Sequence, residues 1–251
     1  MNEAAHPSIC RSPASARSCT PTVPDGIEAL LLDFDGTLAD TTPGHEQALR
    51  AALQPHGLDL DHDWYSRHVG LSIHDLLATL PGGRQLPHAQ IIQQSRTHLL
   101  AGVHSITPIA CVVWLLHAAR RAGLPCAVAS GASRLLVHPG LDALGLRREF
   151  AAVVTREDVT HGKPAPDLYL AAARRLDVAP QGCLAVDDAP EGITAARAAG
   201  MHVITVADGH LALTDEDAGE AARHFASSAG ASTQPATAGP GPGPRDGGRT
   251  A

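Results

Sequence analysis

Five short apolar runs, separated by stretches with helical spacing, set the tightest limit on how this chain can fold. The runs cover 29–32, 126–129, 151–154, 183–186 and 202–206. They are continuous rather than alternating, the pattern of strands covered on both faces in a parallel sheet. The intervening helical patterns cover 109–122, 134–144, 166–176 and 193–199, and Gly123, Gly145 and Gly200 follow three of them as C-terminal stops. Parallel strands joined by helices require crossover connections, so the chain reads as an open α/β sheet.

The rhythm breaks over 41–105, where helices are expected at 44–56, 73–79 and 88–101 and no strand is evident. The expected architecture is therefore an open, parallel, Rossmann-like sheet with a small helical cap domain inserted after the first strand. Its α/β core would span 25–40 and 106–228, with the cap over 41–105. Residues 1–24 are rich in Pro, Ser and Ala, and 229–251 in Gly and Pro, including Gly239-Pro240-Gly241-Pro242-Gly243-Pro244. Neither stretch can bury enough apolar surface to fold, and both read as disordered.

Composition excludes several classes of function. A net charge of -7 argues against nucleic acid, whose phosphates demand basic patches. No apolar run approaches the ~20 residues of a membrane-spanning helix, and the N-terminal stretch lacks the apolar segment of a secretory signal. The five cysteines are scattered without zinc-ligand spacing, which suits a reducing cytoplasm. Aromatic residues make up 3% of the chain, so the core must be aliphatic. Of 19 cationic side chains, the only lysine is Lys163.

The chemistry-bearing residues lie just beyond the apolar runs. Asp33-Phe34-Asp35-Gly36-Thr37 follows the first, where α/β sheets bind ligands. Two carboxylates two residues apart can face one way, one attacking phosphorus and the other moving a proton. The same residues also suit a surface turn. Asp187-Asp188 ends another run. Either residue could cap the next helix, but carboxylates ~4 Å apart repel by about 4 kcal/mol at an effective dielectric near 20. A cluster of them calls for a hard cation such as Mg2+. Ser130-Gly131 follows a third run and opens a helix, as an N-cap or as an anion seat. Lys163, in a Pro-rich loop, supplies a compact charge that the planar guanidinium of Arg cannot replace. Nucleophile, acid/base, metal ligands, anion seat and cation form the set that phosphoryl transfer requires.

These motifs, in this order, resemble the haloacid dehalogenase superfamily, over about 26–207. The segments Leu38-Ala39-Asp40-Thr41-Thr42-Pro43-Gly44-His45, Gly162-Lys163-Pro164-Ala165-Pro166-Asp167 and Asp187-Asp188-Ala189-Pro190-Glu191-Gly192 are similar to its beta-phosphoglucomutase-like branch. Within that branch, fructose 1-phosphate and 6-phosphogluconate phosphatases look closest. The resemblance implies a cytoplasmic, Mg2+-dependent phosphatase acting on a small-molecule phosphate ester, a sugar phosphate, as monomer or dimer, with no nucleic-acid or membrane partner. It makes Asp33 the nucleophile and Asp35 the acid/base. Ser130, Gly131 and Lys163 would bind phosphate. Mg2+ would be held by Asp33, the Asp35 carbonyl and Asp188, with Asp187 direct or through water.

Departures from the family pattern refine this. The fourth motif usually reads Glu-Asp-Ser but here is Asp187-Asp188-Ala189. Gly70-Leu71-Ser72-Ile73 lacks the Arg expected of a hexose-phosphate mutase, and the cap has no Lys, which disfavours that alternative and excludes phosphonate cleavage through a Schiff base. Asp35 argues against dehalogenase chemistry. A catalytically silent binding domain would not need so complete a charged set. His45, opening the first cap helix, is a candidate substrate contact. His56, His62, His68 and His74 share no helical face and are expected in solvent, and Trp64 and Tyr65 are expected in the cap core.

Overall fold

The four residues of β1 (Ala29–Leu32) are fully buried, and their side chains alternate between two hydrophobic clusters. Leu30 and Leu32 join one cluster; Ala29 and Leu31 join the other. A strand covered on both faces must be apolar at every position. Each fully buried Leu contributes about 1.5–3 kcal/mol. The structure, a computed structural model, describes residues 21–68, 73–207 and 209–212. Nearly all of the expected N-terminal arm, the whole expected C-terminal tail and Gly70-Leu71-Ser72 lie outside the described residues.

After β1 come β2 (Ala39–Asp40), α1 (Thr42–Leu53), α2 (His62–Ser66), α3 (Ile73–Thr79) and α4 (His88–Ala101). β3 (Thr107–Pro108), α5 (Ala110–Arg121), β4 (Cys126–Ala129), α6 (Arg134–Ala143) and β5 (Ala152–Val154) follow. The described fold is completed by α7 (Asp167–Leu176), β6 (Cys183–Asp187), α8 (Pro190–Ala198), β7 (His202–Ala207) and β8 (His210–Ala212). The main sheet has the order β5-β4-β1-β6-β7-β8, parallel except for the β7–β8 pair. α5 and α6 supply one covering cluster, and α7 and α8 the other. The α/β class and the mostly parallel sheet agree with the reading of the sequence, and the antiparallel β8 extends it.

Local differences from that reading have local causes. α8 starts at Pro190 rather than at 193, with Ala189 extended before it. Proline at the first helical position loses no hydrogen bond and is set for helical φ. α6 starts at Arg134 after an extended Ser133, so Ser130-Gly131 precedes the helix by a short loop instead of opening it. α2 is an addition, capped by the Asp61 carboxylate, which accepts from the Trp64 N–H at 2.7 Å.

The helices between β2 and β3 bury their own cluster, in which Leu53, Leu60, Leu77 and Ile91 are fully enclosed. Tyr65 is buried in it and Trp64 packs against it. The chain enters and leaves these helices through one short antiparallel ladder, Ala39 opposite Pro108 and Asp40 opposite Thr107. Of the four spaced histidines, His62 and His74 are exposed, as expected, whereas His56 and His68 are half-buried. His68 departs from expectation because its ring stacks on Trp64, with centroids 4.1 Å apart. Among the described residues, no helix is long and apolar enough to cross a membrane. Cys111, Cys126 and Cys183 are buried, and burial pushes the Cys126 and Cys183 thiols up to about 11. Cys10 and Cys19 lie outside the described residues.

Candidate active site

β1 lies between β4 and β6, so the chain builds the sheet outward from it in both directions. That reversal leaves a crevice at the carboxyl ends of the central strands, where α/β sheets bind ligands. Asp33 follows β1 directly, and its backbone N–H donates to the Val186 carbonyl at 3.0 Å. Asp187 closes β6, Asp188 follows it, and Ser130 follows β4. Strand order thus gathers residues that are far apart in the chain.

Lys163 reaches into this crevice from the loop before α7. Its Nζ donates to Asp33 Oδ1 at 2.5 Å and to Asp187 Oδ2 at 2.6 Å. The Tyr169 hydroxyl donates to the same Asp187 oxygen at 2.5 Å, and the Ala189 N–H donates to Asp187 Oδ1 at 3.0 Å. A carboxylate has about four acceptor positions, so Asp187 keeps about one for anything else. The Thr37 hydroxyl donates to Asp188 Oδ1 at 2.8 Å. Asp35 lies beside His45, whose Nε2 is 3.3 Å from Asp35 Oδ1. Ser130 is buried, and its Oγ accepts from the Ala132 N–H at 3.0 Å; Gly131 is exposed next to it.

Two glycines make this packing possible. At Gly36 the backbone takes φ +75°, and a Cβ there would stand 2.2 Å from Asp188 Oδ2. At Gly192, in the first turn of α8, a Cβ would stand 2.0 Å from Asp187 Oδ2. Any side chain at either position would displace a carboxylate.

The electrostatics follow from burial. Desolvation pushes Asp33 well above the usual carboxylate range against the pull of Lys163, and Asp187 and Asp35 push the same way. Asp188 is raised to about 6, chiefly because its carboxylate is crowded from water although the residue is exposed overall, and Asp187 adds to this. Burial opposes the charge on Lys163, but Asp33 and Asp187 outweigh it and hold the ammonium more firmly protonated than usual. Burial, then Asp187, likewise raises the Tyr169 phenol, which stays a donor.

One ammonium faces the carboxylates of Asp33, Asp187 and Asp188. Oxygens from Asp33, Asp187 and Asp188 lie within 4.8 Å of one another. Hard oxygen donors with excess negative charge fit Mg2+, which favours carboxylates and waters.

A search against known families matches residues 27–200 to the family described as haloacid dehalogenase-like hydrolase. The chain belongs to the haloacid dehalogenase-like hydrolases. Among its relatives in this family is a protein of Escherichia coli K12 named fructose-1-phosphate phosphatase YqaB. The two are 37% identical over 183 residues, covering 70% of this chain and 95% of the relative. Hexitol phosphatase A of the same organism is 32% identical, covering 71% of this chain and 82% of its own length. The crystal structure of CbbY from Rhodobacter sphaeroides, in complex with phosphate, superposes with a TM-score of 0.64 at 30% identity, covering 71% of this chain and 85% of that one.

Sequence reasoning assigned no role to Thr37, Tyr169 or Gly192. Thr37 sat in the first acidic motif but read as a turn former. Tyr169 carried a usable signal: it is one of two tyrosines and stands among apolar residues of a helix. A buried phenol there must find a partner for its hydroxyl. Gly192 near a helix start was a further sign of close approach.

Proposed function

We propose that this chain is a Mg2+-dependent phosphatase that hydrolyses a small phosphorylated metabolite, a sugar phosphate, through an aspartyl-phosphate on Asp33. The observation that carries the reading is the Asp33–Lys163 contact of 2.5 Å beside Asp187 and Asp188, at the carboxyl end of β1. The names of the two Escherichia coli relatives, a fructose-1-phosphate phosphatase and a hexitol phosphatase, support the substrate class. We assign the catalytic core to 25–40 and 106–228, of which 213–228 lie outside the described residues, and the cap to 41–105. The buried thiols of Cys126 and Cys183 are in keeping with a cytoplasmic setting.

In this reading an Asp33 carboxylate oxygen attacks phosphorus while the ester P–O bond breaks, and Asp35 gives its proton to the leaving alkoxide. Asp35 then takes a proton from water as the water oxygen attacks phosphorus and the bond to Asp33 breaks. Phosphate leaves, and Asp35 is again protonated. His45, 3.3 Å from Asp35, orients that carboxyl. Lys163, Ser130 and Gly131 hold the phosphoryl oxygens, and Asp187 holds Lys163. Asp33, Asp188 and the Asp35 carbonyl, with the remaining acceptor position of Asp187, would hold Mg2+. When bound, Mg2+ supplies positive charge against the phosphoryl oxygens and the carboxylates.

Phosphate release from a panel of sugar phosphates, with Mg2+ and with excess chelator, tests the reading. Release should require the metal and should fall to background in Asp33→Asn. Undiminished hydrolysis by Asp33→Asn, or in chelator, overturns it.

A further inference from the structure

Between β5 and α7 the chain makes one 3-10 turn, Arg156–Asp158, whose three charged side chains fan out to the segments around it. Glu157 Oε2 accepts from the backbone N–H of Arg134, the first residue of α6, at 3.0 Å. The side chain of Ser133, just before α6, does not cap the helix, so Glu157 meets that N–H from outside it. Asp158 joins the guanidinium groups of Arg134 on α6 and Arg175 on α7, and closes the turn on the Thr155 N–H at 2.8 Å. The Arg156 guanidinium donates to the Val159 and Thr160 carbonyls at 3.0 and 3.3 Å. It also lies against Gly162, where a Cβ would stand 3.2 Å from Arg156 Nε. Lys163 is the next residue. On the other side of the turn, the Ser130 N–H donates to the Val154 carbonyl at 3.0 Å and the Arg156 N–H to the Ala132 carbonyl at 3.1 Å.

We infer that Arg156 and Glu157 are positioning residues that hold Lys163 and Ser130 at the separation a phosphoryl group requires. The inference rests on the phosphatase reading above and deepens it. Residues 159–166 belong to no helix or strand, so no regular backbone sets where the Lys163 stem begins. The rigid fork of Arg156 grips two successive carbonyls of that loop, while the backbone N–H of the same residue grips the Ser130 loop at Ala132. One residue thus bridges the two segments that hold the phosphoryl oxygens in this reading. Glu157 secures the Ser130 loop at its far end, on Arg134. Arg156 and Glu157 are both exposed, where such bonds add only modestly to stability. Their effect falls on geometry, and a misplacement of about 1 Å can cost ~10²-fold in rate.

The test uses the full chain with saturating Mg2+. Inorganic phosphate, titrated calorimetrically, reads the seat without a leaving group. Selective 15N-lysine labelling gives one ammonium and one backbone amide signal, both from Lys163. Arg156→Ala should move both signals, weaken phosphate binding about tenfold and lower kcat roughly ten- to a hundredfold, with a urea midpoint close to that of the parent. Glu157→Ala should weaken phosphate binding and leave the Lys163 signals in place, because its bond lies on the Ser130 side. Arg156→Lys keeps the charge but not the fork and should recover only part of the loss. Unmoved Lys163 signals with parental phosphate affinity in Arg156→Ala overturn the inference. Full recovery in Arg156→Lys does the same, since charge alone would then be at work. A loss of activity that merely follows a lowered urea midpoint also overturns it, because the role would then be structural. If the parent neither binds phosphate nor hydrolyses any sugar phosphate, the phosphatase reading falls and the positioning role with it. An active parent beside an indifferent Arg156→Ala removes the positioning role alone.

Discussion

On the sheet side of the cleft, Lys163 and Asp187 expose 11% and 0% of their side chains and are joined by hydrogen bonds of 2.5–2.6 Å to each other, to Asp33 and to Tyr169. On the helical side, Gln47, His98 and Ser105 are exposed. The sheet side fixes charge in a buried hydrogen-bonded network, where each contact is strong and each missing partner is costly. The helical side presents polar groups in water, where solvent replaces a lost partner at little cost. Charge fixed by the fold and polar groups left to solvent thus share one cleft.

The comparison breaks if disturbing the network is harmless. Lys163→Arg keeps the charge but cannot place a compact ammonium between two carboxylates. It should lower kcat by on the order of 10²–10³-fold, the usual loss for a group that stabilises transition-state charge, as measured by steady-state phosphate release. Near-parental turnover would mean that any cation serves there.

Leu77→Ala probes the other side. Leu77 is fully buried in the cluster of the inserted helices, and the change should cost about 2–5 kcal/mol of local stability. Limited proteolysis should then cut first within 41–105. Simultaneous cleavage throughout the chain would show that the two regions unfold as one.

Tyr169→Phe keeps the ring in the core and removes only the hydroxyl on Asp187. Losing one hydrogen bond to a charged group, about 1.5 kcal/mol or somewhat more, should lower kcat/KM roughly tenfold. Direct calorimetric titration with Mg2+ should show weaker binding, which distinguishes a positioning effect from simple loss of stability. Unchanged affinity together with unchanged kcat/KM would make the phenol a packing residue.

The smallest effect concerns Asp158, outside the cleft. Its carboxylate accepts from the Thr155 N–H at 2.8 Å and from Arg134 and Arg175, each at 2.8 Å. Burial would raise it, but the Thr155 N–H, Arg175 and the Thr155 hydroxyl together bring it down to about 2. A folded value below the unfolded ~3.9 gives stability that is present above about pH 4 and lost as pH falls through 2. The contribution is about 1–2 kcal/mol. Urea midpoints measured across that window should show the slope in the parent and a shallower one in Asp158→Asn. Equal slopes would assign the acid sensitivity to other carboxylates.

The sheet was legible because β1 and β6 must be apolar at every position, and such runs stand out beside the polar residues that end them. Asp33, Asp187 and Lys163 were legible as candidates for the same reason: acidic residues just past buried strands, and a lone lysine among arginines. The network behind them was not. Thr37 meets Asp188 across 151 residues of chain, and Tyr169 meets Asp187 only because α7 packs on the sheet. The short β2–β3 ladder and β8 were hidden by their length, since two or three residues carry no periodicity. His68 misled because spacing along the chain says nothing about the indole beside it.

The lone lysine has a practical consequence. With no other side-chain amine in the sequence, reagents that seek lysine find their one such target at the bottom of the cleft, held between Asp33 and Asp187. Every other cationic side chain in the sequence is a guanidinium or an imidazole. Modification at Lys163 therefore reports release of the ammonium from Asp33 and Asp187, with no background from lysines elsewhere.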